Sequence, residues 1–501
     1  MATVEKSIFE YFEGYAAECG GDLFLFDEER RYTVEETFYE AIAIGNHLYN
    51  LGVREGRLVA LRCTRSLDAY LVYLALEFMG ATAVLTSPYQ TVEAFLCETG
   101  IPIKADMIIT NESATDGISA NGNWEVPGHG SLEIGYPARR EERRFAVGKD
   151  LRAPATIVFT SGSTGKSKGS MLSQEALLQY AEDSIVYDWH LPGDIAIVTL
   201  PTQHGFALCL LIAAFVARYA LFFPRDMHAD YVLECVERYH ITRINGVPSY
   251  FYVLARANEA QNRDLKSLRT GFTAGAPIIP EQHRYIEQVL GMTLHPLYGM
   301  SESISISCTS PLDPAECRAT TVGRFHRGAG CILDRNGNEL PDGQEGEICV
   351  SGPAILCGYY GDEEATRDAI DEKGRLHTGD LGYLDDKGYL HITGRLKDII
   401  IRNGLNLSPV KIEAAIRSVI GVENAVVVGV RHEILGEAPC ALVILRKGFE
   451  MTAEELKELL SSRLPKNEVP IAFLFENEIP LNKIGKPDKQ KVRELFLHST
   501  H

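Results

Sequence analysis

Residues 160–169 read T-S-G-S-T-G-K-S-K-G and combine flexible backbone, hydroxyl groups and positive charge in one short segment. Gly162, Gly165 and Gly169 permit a tight turn whose backbone N–H groups can point at an anion. The side chains that would complete such a site are Thr160, Ser161, Ser163, Thr164, Lys166 and Lys168. The segment therefore predicts a loop that binds a polyphosphate. It is not a Walker A loop, because that motif needs glycine where this chain has Thr160.

The segments before this loop alternate between helix and strand patterns. Residues 33–52 repeat apolar residues at helical spacing and end at Gly52, and residues 57–63 read as a buried strand. Residues 67–87 repeat the same order, with Gly80 between helix and strand. This rhythm is typical of parallel α/β layers. Around the loop we predict a strand, a turn and then a helix, and residues 111–150 indicate surface loops and edge segments.

Composition and charge limit the class of protein. Of the 501 residues, 45% are hydrophobic and 23% are charged, which is typical of a folded protein of about three domains or subdomains. The net charge of −19 argues against a nucleic-acid partner. Sparse cysteines and the lack of a signal-peptide pattern favour a cytoplasmic location. The apolar run 207–223 contains Arg218 and is shorter than the ~20 residues of a membrane span, so it predicts a buried helix.

The charge distribution divides the chain near residue 397. Residues 397–501 carry 15 basic and 14 acidic side chains, whereas residues 1–396 carry 34 and 54. The C-terminal segment has its own α+β pattern, with a helix from about Pro409, strands within 425–430 and 441–445, and a second helix. Thr452 and Glu455 would form a capping box at the start of that helix. We predict two domains, 1–396 and 397–501.

Four motifs occur in one order along the chain. Besides the loop at 160–169, they are LYGMSES at 297–303, LHTGDLGYLDDKGYLHITGRLKD at 376–398 and NKIGKPDKQK at 482–491. With these motifs the chain resembles the superfamily of AMP-forming adenylating enzymes, which comprises acyl- and aryl-CoA synthetases, adenylation domains that load carrier proteins, and luciferases. It is most similar to an acid–CoA ligase.

The resemblance implies a fold and a reaction. The fold is α/β, with a large N-terminal part of two α/β subdomains plus a small β-barrel, followed by a mobile α+β C-terminal domain. In the reaction, a carboxylate attacks the α-phosphorus of ATP to give acyl-AMP and pyrophosphate. A thiol then attacks the acyl carbonyl and releases AMP. The implied cofactors are ATP, Mg²⁺ and coenzyme A, or a carrier-protein phosphopantetheine in place of coenzyme A.

The resemblance also assigns residues to ATP. Glu302 is the implied Mg²⁺ ligand, with Thr164 near the metal, because a hard cation prefers carboxylate oxygen. Without the family, Glu302 would be a solvated loop carboxylate. Ser301 replaces the family's usual Thr and keeps its hydroxyl. Residues 274–276 would line the adenine and Tyr298 would stack on it. The residues assigned to ATP binding are Thr160, Ser161, Gly162, Ser163, Thr164, Gly165, Lys168, Gly275, Ala276, Tyr298, Gly299, Ser301, Asp380, Arg395 and Lys486.

Four assignments concern the third and fourth motifs. Asp380 matches a carboxylate that accepts hydrogen bonds from both ribose hydroxyls, with Arg395 near ribose and phosphate. Lys486 matches the lysine that contacts the α-phosphate and the carboxylate during adenylation, although the family does not usually have proline directly after it. Lys397 matches the hinge at which the C-terminal domain rotates.

The thiol site is implied by the segment RNGLNLSP at 402–409, where Gly404 would line a thiol tunnel. Asn403 replaces a family glycine there, and asparagine is a residue that tolerates positive φ.

The acid pocket is marked by LPTQHGFAL at 200–208. His204 matches a histidine beside the substrate carboxylate in the family. Relatives that activate amino acids carry an aspartate in this region, whereas this chain has Gly205, Phe206 and Ala207, so an α-ammonium would lack a partner. We expect a fatty or aromatic acid as substrate. The pocket positions are His204, Gly205, Phe206, Asn245, Thr273, Met300 and Ile304, with Gly246 and Val247 beside them.

Three hypotheses remain open from the sequence. The first is an acid–CoA ligase, with His204, Glu302, Thr164 and Lys486 as its catalytic residues. The second is a stand-alone adenylation enzyme that loads a separate carrier protein. The third is a non-catalytic nucleotide-binding homologue, against which the intact motif residues argue. Only the family resemblance supports the hypothesis of a luciferase-like oxygenase.

Overall fold

The computed structural model describes residues 4–111, 124–132, 134, 140–160, 167–187, 191, 193–481 and 487–498. The contacts divide the chain into two compact units. Unit one comprises Met1–Gly330 with Val350–Leu376, and unit two comprises Cys331–Cys349 with His377–His501. Within the described ranges, no helix is both long enough and apolar enough to cross a membrane.

The elements follow one another in chain order. The first are α1 (Ile8–Cys19), β1 (Leu23–Phe26), β2 (Arg31–Thr33), α2 (Val34–Asn50), β3 (Leu58–Arg62), α3 (Leu67–Met79), β4 (Thr82–Thr86), α4 (Val92–Thr99), β5 (Met107–Asn111), β6 (Trp124–Val126), β7 (Gly130–Leu132), β8 (Pro154–Thr160), β9 (Lys168–Ser173), α5 (Gln174–Tyr187), β10 (Ile195–Ile197), α6 (Gly205–Ala217), β11 (Ala220–Phe222), α7 (Ala229–Tyr239), β12 (Arg243–Ile244), α8 (Pro248–Gln261), β13 (Thr270–Thr273), α9 (Pro280–Leu290), β14 (Thr293–Met300), β15 (Ser303–Cys308), α10 (Ala315–Thr320), β16 (Arg324–Phe325), β17 (Gly330–Leu333), β18 (Gly346–Ser351), β19 (Gly358–Tyr359) and α11 (Glu363–Ala369). The remaining elements are β20 (Arg375–Leu384), β21 (Leu390–Arg395), β22 (Ile400–Arg402), β23 (Leu405–Leu407), α12 (Pro409–Arg417), β24 (Val422–His432), β25 (Gly436–Leu445), α13 (Ala453–Ser461), β26 (Ala472–Glu476) and α14 (Lys489–His498).

Unit one contains two large sheets. In the described residues the first has the order β16-β15-β14-β13-β12-β10-β11-β1-β2, and its strands from β1 to β14 pair in parallel except for the edge strand β2. The second has the order β19-β9-β8-β4-β3-β5-β6-β7. Helices α7, α8 and α9 pack their apolar residues onto the first sheet, for example Val236, Phe251 and Ile286. The predicted α/β layers are confirmed.

Local patterns explain where the early elements begin and end. Thr33 and Glu36 form a capping box that starts α2, and Gly52 follows the helix with a φ of +101°. Gly80 ends α3 in the left-handed conformation, with a φ of +66°. Strands β3 and β4 then pair in parallel, as the alternation predicts.

Two expectations about unit one need correction. The segment after the polyphosphate loop forms β9 before it reaches helix α5, because Lys168–Ser173 pairs with β8 as an antiparallel hairpin. The loop therefore does not lead directly into a helix. The apolar run 207–223 forms the expected buried helix only as far as Ala217, since Arg218 adopts a φ of +62° and the chain continues as β11. Between residues 111 and 150, β6 and β7 are edge strands, and 112–123, 133 and 135–139 lie outside the described residues.

Unit two also contains two sheets. One has the order β17-β18-β20-β21. The other has the order β23-β22-β25-β24, with β26 beside β25. Along β24, Val427 packs with α12 and α13 on one face, whereas Val426 and Val428 pack with Val492 and Phe496 of α14 on the other. This two-residue alternation matches a strand buried on both faces.

The contact division differs from the predicted domains. The expected boundary at residue 397 falls within unit two, which also takes in residues 331–349 and 377–396. That Lys397 is the boundary of a mobile domain stays a prediction. The expected helix at Pro409 and the capping box of Thr452 and Glu455 are both present.

Candidate active site

The predicted polyphosphate loop joins the two strands of the β8–β9 hairpin in unit one. Thr160 pairs with Lys168 across the hairpin, and the Lys168 N–H donates to the Thr160 hydroxyl at 3.3 Å. These contacts place both residues at the base of the loop. The loop residues Ser161, Gly162, Ser163, Thr164, Gly165 and Lys166 lie outside the described residues.

The YGMSE segment forms a tight antiparallel turn between β14 and β15. Met300 pairs with Ser303, so Ser301 and Glu302 occupy the tip. No residue with a Cβ can replace Gly299, because a Cβ at this position would lie 2.1 Å from the carbonyl oxygen of Ile304. The turn therefore requires glycine for steric reasons. Glu302 is only 7% exposed, and its backbone carbonyl accepts a hydrogen bond from Leu356 N–H at 2.7 Å.

Glu302 is contacted by Tyr359, a residue that was not among the predicted site residues. The hydroxyl of Tyr359 donates to Glu302 Oε1 at 2.7 Å, and Lys168 Nζ lies 4.6 Å from the centre of the Tyr359 ring. Burial, and then the Glu302 charge, raise the pKa of Tyr359 well above its usual value. No sequence signal marks Tyr359, because the contact joins residues 57 positions apart.

The predicted adenine segment follows the end of β13. Thr273 and Ala274 are buried, whereas Gly275 and Ala276 are exposed. Gly275 has a φ of +82°, which favours glycine and lets the backbone turn away from the strand. Tyr298, in the neighbouring strand β14, is 8% exposed. Small exposed residues at the carboxyl edge of a parallel sheet suit a flat ring that approaches the backbone.

The predicted acid-pocket residues are partly brought together. His204 is exposed and caps α6 without a side-chain hydrogen bond to the helix backbone. Gly205 lies against Ile304, since a Cβ added to it would be 3.4 Å from the Ile304 side chain. Asn245 has a structural contact, because its Oδ1 accepts from Phe272 N–H at 2.9 Å and so joins β12 to β13. Phe206 and Met300 are half-buried.

In unit two, Asp380 and Arg395 face each other across strands β20 and β21. They are register partners, and Arg395 Nε lies 2.7 Å from Asp380 Oδ1. The carboxylate is buried, whereas the guanidinium is half exposed. Both residues were predicted near ribose and phosphate, whereas their ion pair was not predicted.

The turn that precedes Asp380 is held by a compact polar cluster. Gly379 adopts a φ of +70° and donates its N–H to Glu347 at 3.0 Å, and His377 Nδ1 lies 2.8 Å from the other oxygen of Glu347. With Cys349, these side chains place three possible metal-ligand atoms within 4.8 Å of one another. Since Glu347 already accepts from the turn and contacts His377, the cluster accounts for the shape of the turn without an ion.

The predicted hinge and thiol segments also lie in unit two. Partial burial, and then Arg395, lower the pKa of Lys397. The adjacent Asp398 binds Lys489 Nζ at 2.7 Å. Asn403 and Gly404 have φ values of +51° and +78° and form the two-residue turn between β22 and β23. The positive φ of Asn403 is the conformation expected of an asparagine at a position where the family has glycine. Lys486 lies outside the described residues.

Comparison with known proteins identifies the family. The chain matches the AMP-binding enzyme family over residues 12–360 and the AMP-binding enzyme C-terminal domain over residues 411–486. It therefore belongs to the AMP-binding enzymes, which confirms the predicted superfamily.

Two relatives and one solved structure show how far the similarity extends. The chain is 33% identical over 350 residues to the mitochondrial medium-chain acyl-CoA ligase ACSF2 of Danio rerio, which covers 68% of this chain and 58% of that protein. It is 28% identical to the 2-succinylbenzoate–CoA ligase of Bacillus cereus, over 93% of this chain and 94% of that protein. The crystal structure of ATP-bound MatB from Rhodopseudomonas palustris has a TM-score of 0.84 at 25% identity, over 98% and 99% of the two chains. The chain thus spans less than two thirds of the first relative.

Proposed function

We propose that this enzyme activates a carboxylic acid with ATP to an acyl-AMP and transfers the acyl group to the thiol of coenzyme A. One observation supports the activation of the acid with ATP. The buried Glu302 carboxylate accepts a hydrogen bond from the Tyr359 hydroxyl, and the Tyr359 ring lies beside Lys168 at the base of the predicted polyphosphate loop. The coenzyme A half is supported by the names of the two relatives, which are both CoA ligases.

In the first half reaction, a carboxylate oxygen of the acid attacks the α-phosphorus of ATP. The bond between that phosphorus and the bridging oxygen breaks, and pyrophosphate leaves with the electron pair. Acid and ATP repel each other, so cationic side chains must bind the phosphates and align the attack. We assign this role to Lys168, Arg395 and Lys486. Asp380 would accept hydrogen bonds from the ribose hydroxyls, since a carboxylate has acceptor capacity beyond its contact with Arg395.

Glu302 fits the Mg²⁺ that accompanies ATP in this family. Mg²⁺ is commonly held by one or two carboxylates together with substrate phosphates and water, and Glu302 offers one carboxylate at the tip of a rigid turn. When bound, Mg²⁺ supplies charge neutralisation on the phosphates. Thr164 would lie near it.

In the second half reaction, the thiol sulfur attacks the acyl carbon of the acyl-AMP. The carbon–oxygen bond to the phosphate breaks, AMP leaves, and the thiol proton passes to solvent. The turn at Asn403 and Gly404 would border the thiol, and rotation at Lys397 would bring it to the acyl-AMP. A carrier-protein phosphopantetheine is the alternative thiol, because it presents the same chemical group. We place the reaction in the cytoplasm.

We propose a fatty or aromatic acid, not an amino acid, as the substrate. Gly205 packs against the apolar side chain of Ile304, and the residues that follow His204 bring no acid to pair with an α-ammonium. Apolar walls favour an apolar acyl chain or ring.

The test measures pyrophosphate release with ATP and a panel of fatty, aryl and amino acids. We expect the highest turnover with a fatty or aryl acid, and faster turnover for an amino acid than for all of these would contradict the proposed class.

The preferred acid is then offered with coenzyme A and with a holo carrier protein. Thioester formation with coenzyme A supports the proposal, and formation only with the carrier protein supports the alternative. Absence of pyrophosphate release with any acid would favour a non-catalytic homologue.

A further inference from the structure

We propose that Tyr359 is a positioning residue, which orients the Glu302 carboxylate for the divalent cation and holds Lys168 at the base of the polyphosphate loop. This inference rests on the proposed function, in which Glu302 binds the metal of the metal–ATP complex. Tyr359 belongs to none of the four motifs that mark the family.

Strand pairing places Tyr359 beside the polyphosphate loop. Strand β19 is antiparallel to β9, with Tyr359 opposite Ser170. Lys168 is two residues before Ser170, so its side chain lies on the same face of the sheet and is the diagonal neighbour of Tyr359. The 4.6 Å distance from Lys168 Nζ to the ring centre is within the range of a cation–π contact.

Tyr359 is a partner of Glu302 that carries no charge. A buried carboxylate needs a hydrogen-bond donor because desolvation disfavours its charge. The Tyr359 hydroxyl supplies a neutral donor at 2.7 Å, whereas an arginine or lysine at the same position would compete with a cation for the carboxylate. The contact therefore orients Glu302 without adding a positive charge of its own beside the carboxylate.

The backbone around Tyr359 is itself held firmly. Its N–H donates to the hydroxyl of Thr366 at 2.9 Å, and the N–H of Tyr360 donates to the carbonyl of Gly169 at 2.8 Å. These bonds attach β19 both to α11 and to the strand that carries Lys168. The tyrosine ring thus connects the YGMSE turn with the loop hairpin through one rigid side chain.

The experiment measures binding of Mn²⁺, as a spectroscopic substitute for Mg²⁺, to the enzyme with a non-hydrolysable ATP analogue by electron paramagnetic resonance. Tyr359→Phe removes the hydroxyl and keeps the ring. We expect it to weaken Mn²⁺ binding by about tenfold or more, because it removes a hydrogen bond to a charged group. Tyr359→Leu removes the ring as well as the hydroxyl. Because the ring contacts Lys168, we expect this variant also to weaken binding of the ATP analogue in the absence of metal.

Tyr360→Phe is the matched control, since it removes a hydroxyl one residue away. Equal melting temperatures of the two Phe variants would exclude a folding defect. Wild-type Mn²⁺ affinity in Tyr359→Phe would overturn the positioning role. Glu302→Gln in the same assay separates the two levels of inference. If it weakens Mn²⁺ binding while Tyr359→Phe does not, only the role of Tyr359 is wrong, and if neither variant changes binding, the metal role of Glu302 also fails.

Discussion

Glu302 in unit one and Asp380 in unit two are buried carboxylates that have different partners. Glu302 accepts a hydrogen bond from the neutral phenol of Tyr359, whereas Asp380 forms an ion pair with Arg395, whose Nε lies 2.7 Å from Asp380 Oδ1. A neutral donor does not compensate the carboxylate charge, whereas an arginine does. The partners therefore agree with a metal role for Glu302 and a ribose role for Asp380.

Lys486 tests the assignment of the first half reaction. Lys486→Ala should abolish acyl-AMP formation and spare thioester formation from supplied acyl-AMP, because we assign its ammonium to the first step, in which the α-phosphorus is attacked by the carboxylate. Loss of such a contact is worth roughly 3 kcal/mol, or about a hundredfold in rate. Pyrophosphate release and thioester formation are measured on the same preparation.

Lys491→Ala is the control for that variant. Lys491 lies in the same basic stretch, is mostly exposed and pairs only loosely with Asp488 at 3.8 Å. It should keep both activities. An equal loss of both half reactions in Lys486→Ala would show that Lys486 does not have the assigned role.

At the scale of elements, a buried carboxylate joins α3, β8 and α5 of unit one. Glu77 is fully buried, and it accepts from the Thr156 hydroxyl at 2.7 Å and from Gln174 Nε2 at 3.0 Å. Burial raises the pKa of Glu77 to about 7, although these hydrogen bonds act in the opposite direction. The packing of these elements therefore depends on a group that titrates near neutral pH.

Glu77 should make the stability of the fold fall as pH rises. The native state binds the proton more tightly than the unfolded chain, whose carboxyl has a pKa of about 4.5. The free energy of unfolding should therefore decrease between pH 4.5 and about 7 and then level off, with a total change of about 3 kcal/mol. In Glu77→Gln, the slope of melting temperature against pH should be smaller in this window.

The exposed Glu93 in α4 provides a control, because Glu93→Gln should leave that slope unchanged. An unaltered slope in Glu77→Gln would mean that Glu77 does not titrate in the native state within this window.

At the scale of the whole molecule, we predict that the proposed reaction uses two arrangements of the C-terminal domain. Lys397→Pro should restrict the proposed hinge, because proline fixes φ near −65° and restrains the preceding residue. We expect thioester formation from purified acyl-AMP to fall much more than acyl-AMP formation. Lys397→Ala removes the side chain but keeps the backbone free, so it should retain the balance between the two activities. A parallel loss in Lys397→Pro with an unchanged melting temperature would contradict domain alternation at this residue.

Features that depend on neighbouring residues were predictable from the sequence. Helix α2 with its capping box, the left-handed Gly80, the capping box of Thr452 and Glu455, and the positive φ of Asn403 each follow from contacts within a few residues. The four motifs also placed the chain in its family, because their order and residue types can be read from the sequence without any knowledge of packing. The alternation of helices and strands indicated the α/β class for the same reason.

Features that depend on strand pairing required the tertiary structure. The strand after the polyphosphate loop, the ion pair of Asp380 and Arg395, and the contact of Tyr359 with Glu302 all join segments through sheet register. A Lys-Gly-Ser-rich segment such as 168–173 has no strong strand pattern of its own, and it becomes a strand because β8 offers an unpaired edge. The side-chain environment of Glu302 was likewise decided by β19, which pairs with β9 and so brings together residues that are far apart along the chain.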